Sequence, residues 1–332
     1  MKGYNIALVG ASGAVGAQII ALLEEWDFPV AHFVPLASQR SAGTPLSAFG
    51  RAYHILETTH EVFAQEKIDI AFFSAGGKVS AEFAPSAARA GALVVDNTSY
   101  FRLDEDVPLV VPEVNPSDLH ICPKNIIANP NCSTIQMVQL LNPLHQVLGI
   151  TRVDVSTYQA VSGAGNRGMA ELRAQMQGDL TCAIFPHPIA LNVIPHIDAF
   201  LPSGYTKEEM KMVQETHKIM HANFPISATC VRVPVLRSHS ESLSVHCARP
   251  TSAREVREIL SNAPSVIVQD DPTQALYPMP ILASHTDQSF VGRIRSDLFD
   301  PKIVHLWCVA DQLRVGAATN ALRIALKYLE MH

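Results

Sequence analysis

The sequence predicts an α/β protein of two domains, the first built on a parallel sheet with helices on both faces and the second on a mixed sheet. Its 332 residues are enough for two domains at about 100 to 200 residues each. The first half alternates short β-branched runs with segments that suit helices, which is typical of a doubly wound parallel sheet. After about Thr151 the pattern changes to strands with one polar face, which indicates an α+β domain.

Composition and charge exclude several classes of protein. The chain is 48% hydrophobic and 17% charged, which is enough apolar material for packed cores and too little charge for a disordered chain. The net charge is -6 and no run is rich in Lys or Arg, so nucleic acids and acidic membranes are not expected partners. Apolar runs are far shorter than the roughly 20 residues that span a bilayer. A strand-like run near the N-terminus leaves no room for a signal peptide, and we expect a cytoplasmic protein.

The strands of the first half are near-continuous apolar runs, as expected for strands buried on both faces. We predict them at Ile6–Val9, Ala31–Leu36, Ile68–Phe73, Leu93–Asp96, Leu109–Val111 and Ile126–Ala128.

The second half alternates along its strands. In Arg152–Val161, Val153 and Val155 fall on one side and Asp154 and Ser156 on the other, so one face of the sheet is wetter. We predict further strands at Cys230–Leu236, Leu243–Ala248, Ser289–Arg295 and Ile303–Ala310, helices at Lys207–Ala222 and Ser252–Ser261, a long connection at Gln269–Ala283, and a closing helix at Gly316–Leu329.

A glycine-rich turn follows the first strand and opens the helical run Ala17–Glu25. It reads Gly10-Ala11-Ser12-Gly13-Ala14-Val15-Gly16. Glycines let the backbone approach a pyrophosphate, and the helix N-terminus offers N–H groups and a positive dipole end. The turn therefore predicts a Rossmann-type dinucleotide-binding domain.

The end of the second strand indicates which dinucleotide is bound. NAD enzymes place an acid there to accept from the ribose 2'-OH, whereas this chain has Ser38, Arg40 and Ser41 and no acid. An arginine between serines suits a 2'-phosphate, so NADP is the predicted cofactor; a solvated loop arginine is the alternative. A second small-residue turn, Ser74-Ala75-Gly76, lies at the end of the third strand, where ligands sit in such sheets.

One of the six cysteines has the setting of a nucleophile. No CxxC pair or cluster predicts a disulfide frame or zinc site. Cys132 lies between the strand Ile126–Ala128 and the helical run Ile135–Leu148, so it is predicted at a helix N-terminus, where the dipole favours a thiolate. His217 and His221 are four apart on a predicted helix but lack a third ligand, so no metal is expected.

Taken in order, the motifs resemble those of the bacterial aspartate-β-semialdehyde dehydrogenase family over essentially the whole chain. A cysteine motif alone would fit related acyl-phosphate reductases or glyceraldehyde-3-phosphate dehydrogenase equally well, whereas the ordered set does not. The segments that carry the resemblance are Gly10–Gly16, Ser74–Ser80, Asn97–Arg102, Asn129–Thr134, Ser156–Gly165, Glu208–Lys211, Arg232–Ser240 and Gly316–Ile324.

This resemblance implies reduction of β-aspartyl phosphate by NADPH to aspartate semialdehyde and phosphate, through a thioester on Cys132, in lysine, threonine and methionine biosynthesis. It implies that His239 is the acid/base, with a pKa near neutrality, and that Gln159 orients the acyl group. The substrate-binding residues that it implies are Arg232 for the α-carboxylate, Arg102 and Lys211 for phosphate, Glu208 for the amino group, and Asn131. It adds Ser162, Gly163 and Asn320 to the cofactor site. Glu208 and Lys211 are three apart on a helix and could instead form an ordinary surface pair.

The family resemblance also implies a domain organisation. Residues 1–130 with 314–332 would bind NADP, and residues 131–313 would form a catalytic and dimerisation domain of a homodimer. The chain departs from the family at Val315 and Arg323, where Lys and Gln are usual. Two alternatives stay open: a reductase of a related acyl phosphate such as N-acetyl-glutamyl phosphate, and a catalytically silent NADP-binding homologue.

Overall fold

The structure, a computed structural model, describes residues 3–332. The described chain forms two compact units. One contains the residues up to Pro130 together with Ala317–His332, and the other is Asn131–Gly316.

The secondary structure is numbered here in chain order. The strands are β1 (Tyr4–Val9), β2 (Val30–Ala37), β3 (Pro45–Ala48), β4 (Arg51–His54), β5 (Leu56–Glu57), β6 (Ile70–Phe73), β7 (Leu93–Asp96), β8 (Ile126–Ala128), β9 (Ile150–Gln159), β10 (Ile226–Arg232), β11 (His239–Cys247), β12 (Val266–Val268), β13 (Ser289–Ser296) and β14 (Ile303–Ala310). The helices are α1 (Ala14–Glu25), α2 (Val62–Gln65), α3 (Gly77–Arg89), α4 (Cys132–Leu148), α5 (Gly165–Met176), α6 (Lys207–Met220), α7 (Ala253–Ser261), α8 (Pro280–Ala283) and α9 (Asn320–Met331), the last preceded by a π-helical segment, Arg314–Thr319.

The first unit contains the predicted parallel sheet. Its strand order is β5-β2-β1-β6-β7-β8, and every pairing is parallel. Apolar side chains of β1, including Ile6 and Leu8, pack with α1 and with Leu322 and Ile324 of α9 in one core. The closing helix therefore completes the core that underlies the glycine-rich turn.

The second unit contains the mixed sheet, in the order β10-β9-β11-β14-β13-β12. Strands β9 and β10 are parallel, whereas β11 is antiparallel to both β9 and β14. The alternation predicted in β9 is confirmed, since Val153 and Val155 are buried while Asp154 and Ser156 are half-exposed. Helices α4, α6 and α7 pack on the buried face. The predicted fold class is confirmed.

One predicted strand is wrong. Leu109–Val111 is fully buried but forms only an isolated bridge from Leu109 to Ala128. The side chain of Asn115 accepts from the Val111 N–H (2.9 Å) and donates to the Leu109 carbonyl (2.9 Å), so a side chain satisfies the groups that a neighbouring strand would. The hairpin β3–β4 and the short strand β5 were not predicted from the sequence.

Within residues 3–332, no helix is both long enough and apolar enough to cross a membrane.

Candidate active site

Cys132 is the first residue of α4, and Asn131 caps this helix. The side-chain oxygen of Asn131 accepts hydrogen bonds from the backbone N–H groups of Ser133 (2.9 Å) and Thr134 (3.3 Å). Cys132 itself is half-buried. Because a helix N-terminus stabilises negative charge, this position suits a thiolate nucleophile.

A glycine allows the chain to pass close to Cys132. A Cβ atom on Gly316 would lie 2.6 Å from the Cβ of Cys132, a distance that real Cβ atoms do not reach. Gly316 lies in the π-helical segment Arg314–Thr319. Any other residue at this position would displace Cys132 or the segment beside it.

Sheet register places three predicted site residues side by side. On the buried face of the second sheet, Arg232 of β10 pairs with Gln159 of β9, and His239 of β11 pairs with Ala310 of β14. The backbone N–H of Ala160, directly after β9, bonds to the His239 ring. We call Arg232, Gln159, His239 and Ala310 the site row.

His239 is fully buried, and its tautomer is fixed by the backbone. Its Nδ1 accepts from the Ala160 N–H at 3.0 Å, so the neutral ring carries its proton on Nε2. Burial, and secondly the charge of Arg232, lower the pKa of His239 well below its usual value. The expectation of a pKa near neutrality is therefore wrong for the unliganded protein.

Arg232 is held beside the ring of His239. Its Nη1 donates to the Ala160 carbonyl at 2.7 Å, and its guanidinium lies 5.8 Å from the centroid of the Phe185 ring. A Cβ on Gly163 would lie 2.8 Å from Arg232 Nη1 and 3.4 Å from two ring atoms of His239. Gly163 therefore leaves room for both side chains.

Glu208 connects the helix cap to the site row. Its Oε1 accepts from Asn131 Nδ2 (2.9 Å) and Gln159 Nε2 (3.1 Å), and its Oε2 from Lys211 Nζ (3.0 Å). Burial opposes ionisation of Glu208, but Lys211 and these hydrogen bonds outweigh it and lower its pKa. Lys211 also donates to Asp198 (2.8 Å). A buried carboxylate with these partners is not an ordinary surface pair.

One contact of the helix cap was not predicted from the sequence. Glu215, also buried, accepts from the Asn131 backbone N–H at 2.5 Å. It lies seven residues after Glu208 on α6, and a spacing of two helical turns places both carboxylates on one face. That spacing is the signal that could have identified it.

The glycine-rich turn of the first unit forms a tight backbone cradle. Gly10 has φ +96°, and a Cβ there would meet Ser74 at 2.9 Å. A Cβ on Gly16 would lie 2.4 Å from the Gly10 carbonyl oxygen. Gly13 caps α1 without a side-chain hydrogen bond, which leaves first-turn N–H groups for an anion. The cradle fits a dinucleotide pyrophosphate.

The other predicted cofactor residues fall into two groups. Ser38, Arg40 and Ser41 lie at the end of β2, where Arg40 is exposed, and Ser74, Ala75 and Gly76 lie at the end of β6. Ser162, whose hydroxyl accepts from the side chain of Gln312, and Gly163 belong to the second unit.

Two further predicted residues are buried in the first unit. Arg102 donates to the carbonyls of Asn129 (2.9 Å) and Asn97 (3.0 Å). Asn320 donates to the Val110 carbonyl (2.9 Å) and to Asn129 Oδ1 (2.8 Å). Among the described residues, Asn320 Oδ1 has no hydrogen-bond partner.

Both departures from the family pattern are accommodated by the fold. Val315 is buried in the π-helical segment. Arg323 forms an ion pair with Glu113, with 2.6 Å between Nη1 and Oε1.

A cradle for a dinucleotide and a cysteine at a helix N-terminus together indicate a dehydrogenase. Two family models match the chain, the NAD binding domain of semialdehyde dehydrogenases over residues 5–121 and their dimerisation domain over residues 141–315. The chain thus has both domains of the semialdehyde dehydrogenases, a class of oxidoreductases that bind a nicotinamide dinucleotide through the first of them.

More specific relatives match over almost the full length. Aspartate-semialdehyde dehydrogenases of Helicobacter pylori and Bacillus subtilis are 62% and 48% identical, over 99% and 98% of this chain and 99% and 97% of theirs. A structure of aspartate semialdehyde dehydrogenase II from Vibrio cholerae, complexed with ASA, is 43% identical with a TM-score of 0.95 over 99% of both chains. The chain belongs to the aspartate-semialdehyde dehydrogenase family, which confirms the resemblance.

A more distant structure carries a cofactor. It is described as aspartate semialdehyde dehydrogenase with NADP from Candida albicans, and it is 27% identical with a TM-score of 0.78 over 99% of both chains.

Proposed function

We propose that this protein reduces β-aspartyl phosphate to aspartate semialdehyde and phosphate with NADPH, reversibly, through a thioester on Cys132, in the route to lysine, threonine and methionine. The observation that carries the proposal is the convergence around the capped N-terminus of α4. Asn131, the residue before Cys132, bonds to Glu208, Glu208 bonds to Gln159, and Gln159 pairs with Arg232 between β9 and β10.

In the proposed reaction, the Cys132 thiolate attacks the β-acyl carbon, the bond to the phosphate oxygen breaks, and phosphate leaves. The reduced dinucleotide, when bound, supplies the hydride that the thioester accepts. The tetrahedral adduct on Cys132 then collapses to the aldehyde, and the thiolate is regenerated.

Binding groups are assigned by charge and geometry. Arg232 offers a planar guanidinium for the substrate α-carboxylate, and the Glu208 carboxylate suits the α-ammonium group. Gln159 uses one amide hydrogen for Glu208 and keeps the other to orient the acyl oxygen. Lys211 and Arg102 are the proposed phosphate ligands, and Asn131 supports the substrate through Glu208.

His239 is the proposed proton carrier. In the tautomer described above, its Nε2–H can donate to the oxyanion of each tetrahedral intermediate. A substrate carboxylate on Arg232 would neutralise the charge that lowers the pKa of His239, so the ring becomes easier to protonate when substrate is bound. Taking up the second proton requires Nδ1 to leave the Ala160 N–H.

The mechanism is tested by phosphate-dependent reduction of NADP with aspartate semialdehyde. We expect Cys132→Ala to abolish turnover and Cys182→Ala, at an exposed cysteine, to retain it. Mass spectrometry of the quenched wild type should show an acyl adduct that Cys132→Ala lacks. Unchanged turnover in Cys132→Ala would refute the thioester. Tight NADP binding by the wild type without turnover would favour a silent homologue.

Substrate choice separates this reaction from that of a related acyl-phosphate reductase. An N-acetylated substrate has no ammonium charge to pair with Glu208, so we expect aspartate semialdehyde to be used and N-acetylglutamate semialdehyde to be rejected. The reverse preference would contradict the proposed role of Glu208.

NADP preference rests on Arg40 and on the absence of an acid at Ser38–Ser41. We expect Arg40→Ala to raise the KM for NADP and to leave the KM for NAD unchanged. Arg51→Ala, at an exposed arginine of β4, is the control. An unchanged KM for NADP in Arg40→Ala would make the assignment wrong.

We also propose that the protein is a homodimer formed through the second unit. The sheet face opposite α4 carries Tyr158 and Trp307, whose rings lie 5.4 Å apart. Tyr158 is exposed and Trp307 is half-buried, and accessible aromatic side chains are typical of interfaces. Sedimentation should give a dimer for the wild type and a monomer for Trp307→Glu; a monomeric wild type would refute this.

A further inference from the structure

A second polar row lies beside the site row on the buried face of the second sheet. Glu241 of β11 pairs with Thr157 of β9 and Cys308 of β14, and Thr157 pairs in turn with Cys230 of β10. The next row, of Ala228, Val155, Leu243 and Leu306, is apolar. We call Cys230, Thr157, Glu241 and Cys308 the acid row, because it contains one carboxyl group.

The residues along one face of helix α4 follow the same order as the rows of the sheet. Cys132, Gln136 and Leu140 are four residues apart and share one helix face, and α4 packs against β9, β11 and β14. Gln136 is therefore one turn from the nucleophile, as Glu241 is two residues from His239 on the same face of β11. Both side chains are fully buried.

Four polar atoms of these two side chains are unsatisfied. Across residues 3–332, neither oxygen of Glu241 and neither amide atom of Gln136 has a hydrogen-bond partner. Unpaired buried polar groups are costly, so each normally has a partner. The two side chains lie on packed surfaces, since α4 contacts β11, and the Gln136 side chain is the neighbour that lowers the pKa of Glu241 against the larger effect of burial.

One protonation state satisfies all four atoms. A carboxylic acid donates its O–H to an amide oxygen while its carbonyl accepts from the amide N–H, which gives two hydrogen bonds. A carboxylate would leave the Gln136 oxygen facing negative charge. Burial also raises the pKa of Glu241 well above its usual value. The ionisable groups beside it, Cys230 and Cys308, are buried thiols whose pKa values are raised as well.

We propose that Glu241 is a protonated carboxylic acid that pairs with the Gln136 amide, and that this pair positions Cys132 over the site row by joining the first turns of α4 to the strand of His239. Glu241 is a positioning residue, since it acts through other groups. The inference rests on the proposed role of Cys132 as the nucleophile.

The protonation state is tested without any activity measurement. The infrared difference spectrum of wild type minus Glu241→Gln at pH 7 should contain the C=O stretch of a protonated carboxylic acid, shifted in D2O. If that band is absent at pH 7, the pair does not exist as proposed. This result is independent of Cys132→Ala, so failure here and failure of the thioester mechanism are distinguishable.

The positioning role is tested by exchanging the partners. We expect Glu241→Leu and Gln136→Leu each to lower kcat and the rate of Cys132 alkylation by iodoacetamide about ten- to hundredfold, with the KM for aspartate semialdehyde within about twofold. The exchange Gln136→Glu with Glu241→Gln restores an acid–amide pair and should recover most of both rates.

Leu243→Ala, in the apolar row, is the control for lost packing, and it should lower the melting temperature without changing the alkylation rate. If the two leucine variants behave like Leu243→Ala, or if the exchange is no better than the worse single variant, the positioning role is refuted. An exchange variant that does not fold counts against the pair in the same way.

Discussion

The site row shows how strand register determines which side chains interact and so affects their protonation. Arg232 and His239 come from different strands, and the backbone of Ala160 contacts both, donating to the ring and accepting from the guanidinium. The arginine charge helps to hold the ring neutral. A substrate anion that binds Arg232 would reverse this effect, so substrate binding and proton transfer are coupled in the proposed mechanism.

The coupling predicts the effect of Arg232→Gln. Removing the cation should raise the pKa of His239 towards its ordinary value, although burial will keep it depressed. Loss of the proposed carboxylate contact should also raise the KM for aspartate semialdehyde about ten- to hundredfold. NMR titration of the ring, assigned by the resonance missing from His239→Asn, measures the first effect. A His239 pKa that does not move, or that moves equally in Arg152→Gln at an exposed arginine, would contradict the coupling.

The raised pKa of Glu241 predicts that stability depends on pH. Because its folded-state pKa is raised, the native protein keeps a proton that the unfolded chain releases above about pH 4.3. The native state then binds more protons, and the free energy of unfolding falls as pH rises, by up to about 1.4 kcal/mol per unit until the folded-state pKa is reached.

Glu241→Gln removes that dependence. We expect its free energy of unfolding, relative to wild type, to increase steadily between about pH 5 and 8 in urea titrations. Glu258→Gln, at an exposed glutamate of α7, should show a constant difference over the same range. A constant difference for Glu241→Gln as well would mean that the group is ionised in the native state.

The position of the N-terminus of α4 depends on two other segments. Helix α6 supplies Glu208 and Glu215 to Asn131, one to its side chain and one to its backbone. The π-helical segment passes Cys132 at Gly316, where no Cβ fits. Cys132, the proposed nucleophile, is thus positioned by contacts on several sides, and a small addition at Gly316 should move it.

Gly316→Ala is therefore expected to reduce the rate of Cys132 alkylation and kcat by about a hundredfold, since misplacement of about 1 Å can have that effect. Gly292→Ala is the matched control, because a Cβ there would lie 2.3 Å from the Gln269 carbonyl oxygen. Both variants should lose stability by overpacking, about 1–3 kcal/mol, but only Gly316→Ala should lose thiol reactivity per folded molecule. Equal reactivity in the two variants would exclude a specific effect on Cys132.

The elements also show where sequence reasoning succeeds. Apolar runs located five of the six strands of the parallel sheet, all but the two-residue strand β5, and the strand–cysteine–helix pattern located Cys132, because both signals are local. The contact from Glu215 to Asn131 spans 84 residues, so the seven-residue spacing on α6 can mark Glu215 as a candidate but cannot identify its partner. Leu109–Val111 has strand composition, but a nearby asparagine takes its hydrogen bonds. The acid row could not be predicted, since it depends on the register of β9, β11 and β14.

The chain leaves the first unit after Pro130 and returns to it at Ala317. The returning helix α9 contributes Ala321, Leu322 and Ile324 to the core, all of them fully buried. The dinucleotide cradle and its supporting helix therefore lie at opposite ends of the sequence. Stability of the cofactor site should depend on a helix that lies more than 300 residues after the glycine-rich turn.

Leu322→Ala tests this dependence. Loss of a buried leucine should destabilise the first unit by about 2–5 kcal/mol. A ligand that binds only the folded state stabilises it, by about 2.7 kcal/mol at one hundred times its Kd, so NADP should recover much of the loss. Leu243→Ala removes an equally buried leucine from the second unit. Calorimetry should show that Leu322→Ala weakens NADP binding whereas Leu243→Ala does not. If the two variants bind NADP equally well, α9 does not support the cofactor site. A packing defect in α9 would then affect NADP binding no more than a packing defect in the second unit.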